Sequence, residues 1–235
     1  MNSVSKFGNF LRVIVSFLFI AAVVSISTFL AWQRGFDSET YILTTGSFLG
    51  CCAFLIVPRI RIIFKERFLV SDIRSVLLFT LIIVSLGSLL TYLFRYSPIL
   101  FGHNPFEIGS GQFDKSFSLF SLEAIFYTGL LPGISEEITF RLAAYALFDW
   151  LVSIQKPYLK KPLLFLCVVI SSTIFALFHG TDGINFFLYF VPSVVFWILF
   201  WKFGFFSCVL GHAWYNILSG STDQIAIGII KLLIH

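Results

Sequence analysis

Long apolar segments separated by short polar or basic turns make up most of this chain. The full segments are residues 8–31, 41–58, 75–94, 134–152, 162–179, 184–201 and 205–219. Most are close to the ~20 residues that a helix needs to cross a bilayer. No strand-like alternation of polar and apolar residues interrupts them. The pattern predicts an all-α fold, a polytopic transmembrane helical bundle of about seven spans.

A shorter apolar segment, residues 117–131, follows the longest polar connection, residues 95–116, and ends at Pro132-Gly133. Its interpretation depends on the basic residues, which mark cytoplasmic loops. With the N-terminus inside, the loops 59–74 and 156–161 both lie on the cytoplasmic side, provided that 117–131 makes no crossing of its own. We therefore predict an interfacial or re-entrant helix here, broken from the next helix at the Pro-Gly pair.

The amino-acid composition indicates a membrane protein and argues against nucleic-acid-binding and disulfide-rich proteins. Residues are 58% hydrophobic and only 12% charged, against about 25% charged in soluble domains. Basic residues lie between the apolar segments rather than in a patch, so no nucleic-acid partner is expected. The four cysteines lie within apolar segments, without metal-ligand or disulfide spacing. We expect a single integral membrane domain over residues 1–235, with three N-terminal spans in 1–96.

Three charged residues lie close together near the start of the fourth segment, where a charge is costly and is therefore rarely without a role. Glu137 and Arg141 are four residues apart, on one face of a helix, and are expected to form an ion pair. Glu136 points about 100° away from Glu137 and is free to face a cavity. The alternative is a buried ion-pair network that only ties helices together.

Two histidines and an asparagine lie in other apolar segments. His179 ends the fifth segment, and His212 and Asn216 share one face of the last. Both groups could also have a purely structural role. His179 could be an interfacial histidine without chemistry, and His212 and Asn216 could form hydrogen bonds between helices. Glu136 and His179 both lie ~27 Å along a helix from a cytoplasmic lysine cluster. His212 is only ~12 Å from Gly204, so it reaches that depth only if its helix begins deeper or tilts.

Three motifs in this order resemble those of a known family. Glu-Glu-x-x-x-Arg at 136–141, Phe-x-x-x-His at 175–179 and His-x-x-x-Asn at 212–216 are similar to the CPBP set. That family is also called Abi, or CAAX prenyl endopeptidase-like intramembrane proteases. The resemblance covers about residues 117–220, which would form a protease-like core. Asn216 stands where some members have Asp.

The resemblance implies a glutamate-dependent intramembrane endopeptidase. Glu136 would be the general base that activates a water, assisted by His179. His212 and Asn216 would stabilise the oxyanion, and Glu137 and Arg141 would organise the site. The expected substrate is a membrane-anchored protein or peptide within the lipid bilayer. No Ser or Cys with an adjacent base is evident, which disfavours a covalent mechanism.

Three alternatives stay open beside this expectation. Glu136, His179 and His212 could make a two-His, one-carboxylate zinc site, although the compact His-Glu-x-x-His signature is absent, so no cofactor is expected. A non-catalytic scaffold, such as an immunity or regulatory protein, could share the fold. A proton-coupled transporter is disfavoured because no repeated half is visible.

Charge counting also predicts the location of the site. The protein is expected to be a multi-pass protein of a prokaryotic cytoplasmic membrane with its N-terminus inside. The site would then open nearer the extracytoplasmic face. That position favours processing of an exported protein, including its C-terminal sorting tail.

Overall fold

A computed structural model describes residues 57–106, 124–153, 157–180 and 183–234, with isolated residues before 57 that include Gly46 and Gly50. All regular structure in these residues is helical, which confirms the all-α prediction for them. The α-helices are α1 (Pro58–Arg67), α2 (Ile73–Tyr96), α3 (Leu131–Glu137), α4 (Ala144–Ser153), α5 (Lys160–Phe178), α6 (Asn185–Phe203) and α7 (Phe205–Ile234). Short 3₁₀ turns at Ser97–Phe101 and Pro157–Leu159 follow α2 and precede α5.

The number of spans is only partly established. Three helical stretches among the described residues are long and apolar enough to cross a membrane: Ile73–Phe101, Lys160–Phe178 and Asn185–Phe203. A fourth is added if Phe205–Ser219 and Ser221–Ile234, bent by 55° in α7, count as one span. Most residues of the first two predicted spans, 8–31 and 41–58, lie outside the described residues.

The predicted break at Pro132-Gly133 is wrong. Helical structure runs without interruption from Ala124 to Ser153, as a π turn (Ala124–Leu130), α3, a second π turn (Ile138–Ala143) and α4. We call this run the Glu-Glu helix. A proline removes one helical donor and crowds the preceding turn, and the wider π turn before Pro132 gives its ring room. Residues 124–131 are thus no separate interfacial or re-entrant helix, and residues 117–123 lie outside the described residues.

Polar contacts show which helix ends lie together. Arg59 Nε donates to Asp149 Oδ2 at 3.0 Å, which joins the start of α1 to the end of the Glu-Glu helix. At this same end of the Glu-Glu helix the chain turns back into α5, which begins at the basic pair Lys160-Lys161. A second contact joins the loop before α2 to the last turn of α6, where Ser71 Oγ donates to the Lys202 carbonyl at 3.3 Å. Basic residues therefore take part in both contacts, as expected for residues on the cytoplasmic side.

The start of α7 explains how His212 reaches the other site residues. Gly204 has φ +99°, and a Cβ there would collide with the carbonyl oxygen of Arg67. Main-chain bonds from Phe206 N to Phe68 O (2.9 Å) and from Val70 N to Phe203 O (3.1 Å) fix this contact. Phe205, the first residue of α7, is consequently only 1% exposed. The helix therefore begins buried against the end of α1, and His212, two turns later, faces Glu136 and Glu137.

A ladder of polar pairs joins α2 to α7. Contacts include Thr80 with Ser207 at 2.6 Å, Ser85 with Trp214 at 2.9 Å, Ser88 with Thr222 at 3.2 Å and Arg95 with Asp223 at 2.7 Å. The pairs advance together along both sequences, so the two helices run parallel. Hydrogen bonds of this kind hold helices together where lipid offers no hydrophobic driving force. They fix α7, and with it His212, along its length.

Glycines allow close approaches to the Glu-Glu helix. A Cβ at Gly50 would lie 2.5 Å from Ile138 Cγ2, and one at Gly46 would lie 3.0 Å from Ser135 Oγ. On the opposite side, a Cβ at Gly133 would lie 3.1 Å from Val209 O. Small residues at such positions let helix backbones pack tightly in membranes. The helix that carries the carboxylates is therefore closely packed on two sides.

Substitution of Gly133 tests this packing. A Gly133→Ala variant should lose about 1–3 kcal/mol of unfolding free energy, since the added methyl group meets backbone atoms of α7 that cannot move independently. Unfolding of the purified protein in detergent measures the loss. The matched control is Gly87→Ala in α2, where an added Cβ meets nothing within 4 Å. The control should be neutral or slightly stabilising, and equal losses in both variants would contradict the packing argument.

Candidate active site

Five of the six predicted site residues meet between three helices. Glu136, Glu137 and Arg141 come from the Glu-Glu helix, His179 from the end of α5 and His212 from α7. Glu136 Oε2 lies 3.6 Å from His212 Nε2 and 4.0 Å from His179 Nε2. Asn216 lies one turn beyond His212 on α7, before the bend, and its carbonyl accepts from Ser219 Oγ at 2.8 Å.

The predicted pair of Glu137 and Arg141 is present and is completely buried. Arg141 Nη1 lies 3.0 Å from Glu137 Oε1, and both side chains have 0% exposure. The contact is electrostatic rather than a well-aligned hydrogen bond, because Arg141 Nη1 has no partner at hydrogen-bond geometry among the residues that the structure describes. Two buried charges are tolerated only when each is compensated, so the pair needs further support.

Support for Arg141 comes from α6 and from aromatic rings. Arg141 Nη2 donates to the Ser193 carbonyl at 3.0 Å and to Ser193 Oγ at 2.7 Å. Its guanidinium carbon lies 4.9 Å from the ring centre of Phe175 and 5.4 Å from that of Phe196. Cations over aromatic faces are stabilised by the ring quadrupole, more so when water is excluded. Arg141 is therefore held by contacts on three sides.

Glu137 in turn orients His212. Nδ1 of His212 lies 2.8 Å from Glu137 Oε1 in a buried hydrogen bond. An ionised carboxylate only accepts, so Nδ1 carries the proton in this contact. Nε2 is then directed at Glu136. One carboxylate thus fixes the orientation of a histidine that faces a second carboxylate.

His179 is oriented in the same way by its own helix. Its Nδ1 donates to the carbonyl oxygen of Phe175, 2.8 Å away and one turn earlier. Nε2 is left facing Glu136. The His179 side chain is 20% exposed, against 4% for that of His212. One histidine is therefore buried, and the other lies at the edge of the site.

Glu136 differs from its neighbour Glu137 in its surroundings. Its side chain is 15% exposed, and its buried Oε2 atom has no hydrogen-bond partner among the described residues. Helical spacing predicted that Glu137 pairs with Arg141 and that Glu136 points elsewhere, and the contacts of the two side chains agree with this prediction. Among the described residues, no group of three His, Cys, Asp or Glu side chains has the spacing of a metal site.

The sequence pattern missed the contribution of α6. Tyr189 stacks on His179, Ser193 binds Arg141, and Phe196 stacks on His212, with ring centres 4.5 Å and 4.8 Å apart for the two stacks. In an apolar span these residues read as ordinary lipid-facing or packing positions. Their spacing was the signal that could have found them. Tyr189 and Ser193 are four residues apart, Ser193 and Phe196 are three apart, and such spacings place all three on one face of a helix.

Comparison with protein families assigns the region that carries these residues. Residues 118–218 match the family model described as Type II CAAX prenyl endopeptidase Rce1-like. This region is an Rce1-like domain of the CPBP family. Every candidate site residue lies within it, and its limits agree closely with the 117–220 core predicted from the motifs. Searches of curated proteins and of solved structures gave no match to the chain.

Adjacent carboxylates of the Rce1-like domain should respond differently to neutralisation. Glu137→Gln should lower the unfolding free energy by about 3–5 kcal/mol, because it leaves the buried Arg141 without its counter-charge. Glu136→Gln should cost far less, since its Oε2 atom has no hydrogen-bond partner to lose within the described part of the chain. Detergent unfolding of the two variants measures the difference. Equal destabilisation would contradict the division of roles.

Proposed function

We propose that the protein is an intramembrane endopeptidase in which Glu136 activates a water molecule for attack on a peptide bond. One observation carries this proposal: Glu136 Oε2 faces the Nε2 atoms of His212 and His179 at 3.6 and 4.0 Å. Both distances exceed a direct hydrogen bond but suit groups that share one water. The family of the Rce1-like domain supports protease chemistry there.

In the proposed reaction, Glu136 takes a proton from the water as its oxygen bonds to the carbonyl carbon of the substrate. His179 helps to hold the water through Nε2. The carbonyl becomes a tetrahedral oxyanion, and a donor in a water-poor site stabilises it strongly. His212, when Nε2 carries a proton, is that donor, and Glu137 balances the resulting imidazolium. Asn216 is proposed as the second donor.

The tetrahedral intermediate then collapses. Its carbon–nitrogen bond breaks, and Glu136 returns the proton to the leaving amine, so that one carboxyl and one amine product form. Glu137 and Arg141 take no part in bond changes in this scheme. Their proposed role is to hold His212 against Glu136, supported by the contact at 2.8 Å between His212 and Glu137.

The proposed substrate is a membrane-anchored protein or peptide, cut within or next to its anchor. Apolar helices surround the site, so the substrate has to reach it from the bilayer. With the N-terminus inside, the site opens nearer the extracytoplasmic face, which favours C-terminal processing of an exported protein. No cofactor is needed for the proposed chemistry.

Neutralising the base tests the mechanism. Glu136→Gln should reduce cleavage of membrane-anchored peptides by about 10²–10⁴-fold, the usual contribution of a general base, while the protein stays folded. The assay uses purified protein in detergent or liposomes against a panel of such peptides. Glu66→Gln, an exposed carboxylate in α1, is the matched control and should keep wild-type activity. Equal cleavage by wild type and Glu136→Gln would reject the proposed base and favour a scaffold role.

Chelation in the same assay separates a glutamate mechanism from a zinc-dependent one. The proposed mechanism expects activity to survive prolonged treatment with a strong zinc chelator. Loss of cleavage with chelator, restored by added zinc, would instead support a zinc site built from Glu136, His179 and His212.

Topology mapping tests the proposed orientation. In a background without the native cysteines, Ser153→Cys at the end of the Glu-Glu helix should be protected from a membrane-impermeant thiol reagent in intact cells. Asn104→Cys, near the opposite end of the bundle, should be labelled. The opposite labelling pattern would place the site nearer the cytoplasmic face and remove the argument for exported substrates.

A further inference from the structure

One face of α6 contacts three groups of the site in succession. Tyr189 lies against His179, Ser193 against Arg141, and Phe196 against His212. The two aromatic residues are seven positions apart, or two helical turns, so they project from the same side. Each histidine of the site thus receives an aromatic ring from the same helix.

The two histidines differ in how much other support they have. His212 is buried about two turns into α7 and is hydrogen-bonded to Glu137. His179 follows the last residue of α5, with non-helical φ −85° and ψ 11°. Its hydrogen bond at Nδ1 and its contact with the Phe175 ring, 4.6 Å away, both come from α5 itself. Tyr189 connects this ring to a different helix.

We propose that Tyr189 is a positioning residue for His179. Its ring lies 4.5 Å from the imidazole centre at an interplanar angle of 28°, a stacked arrangement that blocks one face of the imidazole. The hydrogen bond at Nδ1 fixes one edge of the ring but leaves it free to tilt about that edge. The stacked phenol ring prevents this tilt and keeps Nε2 directed at Glu136. The aromatic plane acts here, not the hydroxyl group.

Kinetics of three variants test this inference, which rests on the proposed function. Tyr189→Leu should lower kcat by about tenfold to hundredfold, as small displacements of a reacting group do, with KM unchanged. Tyr189→Phe keeps the ring plane and should keep wild-type kcat. Tyr145→Leu, an aromatic residue that packs on Phe200 and Trp201 away from the site, controls for general loss of packing and should leave kcat unchanged.

A spectroscopic measurement tests the positioning without any catalytic readout. In protein labelled at its four histidines, the imidazole signals of His179 should broaden in Tyr189→Leu, because the imidazole is then free to tilt between orientations. The signals of His212 should stay in place, and Tyr189→Phe should match wild type. Such a result would support the positioning role even if Glu136 proved not to be a base.

Three results would overturn the inference. Wild-type kcat in Tyr189→Leu would show that the stack has no effect on the reaction. An equal loss in Tyr189→Leu and Tyr189→Phe would assign the effect to the hydroxyl group instead. Unchanged His179 signals in Tyr189→Leu would show that the ring does not hold the imidazole.

Discussion

The buried ion pair between Glu137 and Arg141 is the constraint on which the site depends. Both charges are removed from water, so the cost of burial has to be offset by contacts on every side. The protein supplies these contacts from three helices: Ser193 and Phe196 from α6, Phe175 from α5 and His212 from α7. Each contact that stabilises the pair also fixes a helix against the Glu-Glu helix.

The same pair also holds one histidine against a second carboxylate. Glu137 satisfies Arg141 through the same oxygen that receives His212 Nδ1, so the imidazole is fixed with Nε2 towards Glu136. The Rce1-like domain thus combines a buried charged centre with a neighbouring carboxylate whose Oε2 atom has no hydrogen-bond partner in the part of the chain that the structure describes. Close glycine contacts and the α2–α7 polar ladder keep that geometry within a lipid-facing bundle.

Sequence reasoning recovered the parts governed by local spacing. The pairing of Glu137 with Arg141 follows from four-residue separation on a helix, and the spans that correspond to α2, α5 and α6 follow from uninterrupted apolar runs. It failed at Pro132-Gly133, since the usual breaking effect of proline is relieved there by a π turn. It also left the depth of His212 open, because the buried start of α7 depends on contacts with residues distant in the chain.

By itself, the sequence predicted an apolar all-α chain with costly charges inside its segments, since composition and periodicity act within single segments. The motifs also predicted the Rce1-like domain of the CPBP family that the family model finds at residues 118–218. Only the tertiary structure decided that one face of α6 would support the site through Tyr189, Ser193 and Phe196. In an apolar span these three look like packing residues, and their roles exist only because charged groups from other helices meet them. Contacts between segments that are distant in the chain produce no periodic pattern of residues, so a single sequence does not reveal them.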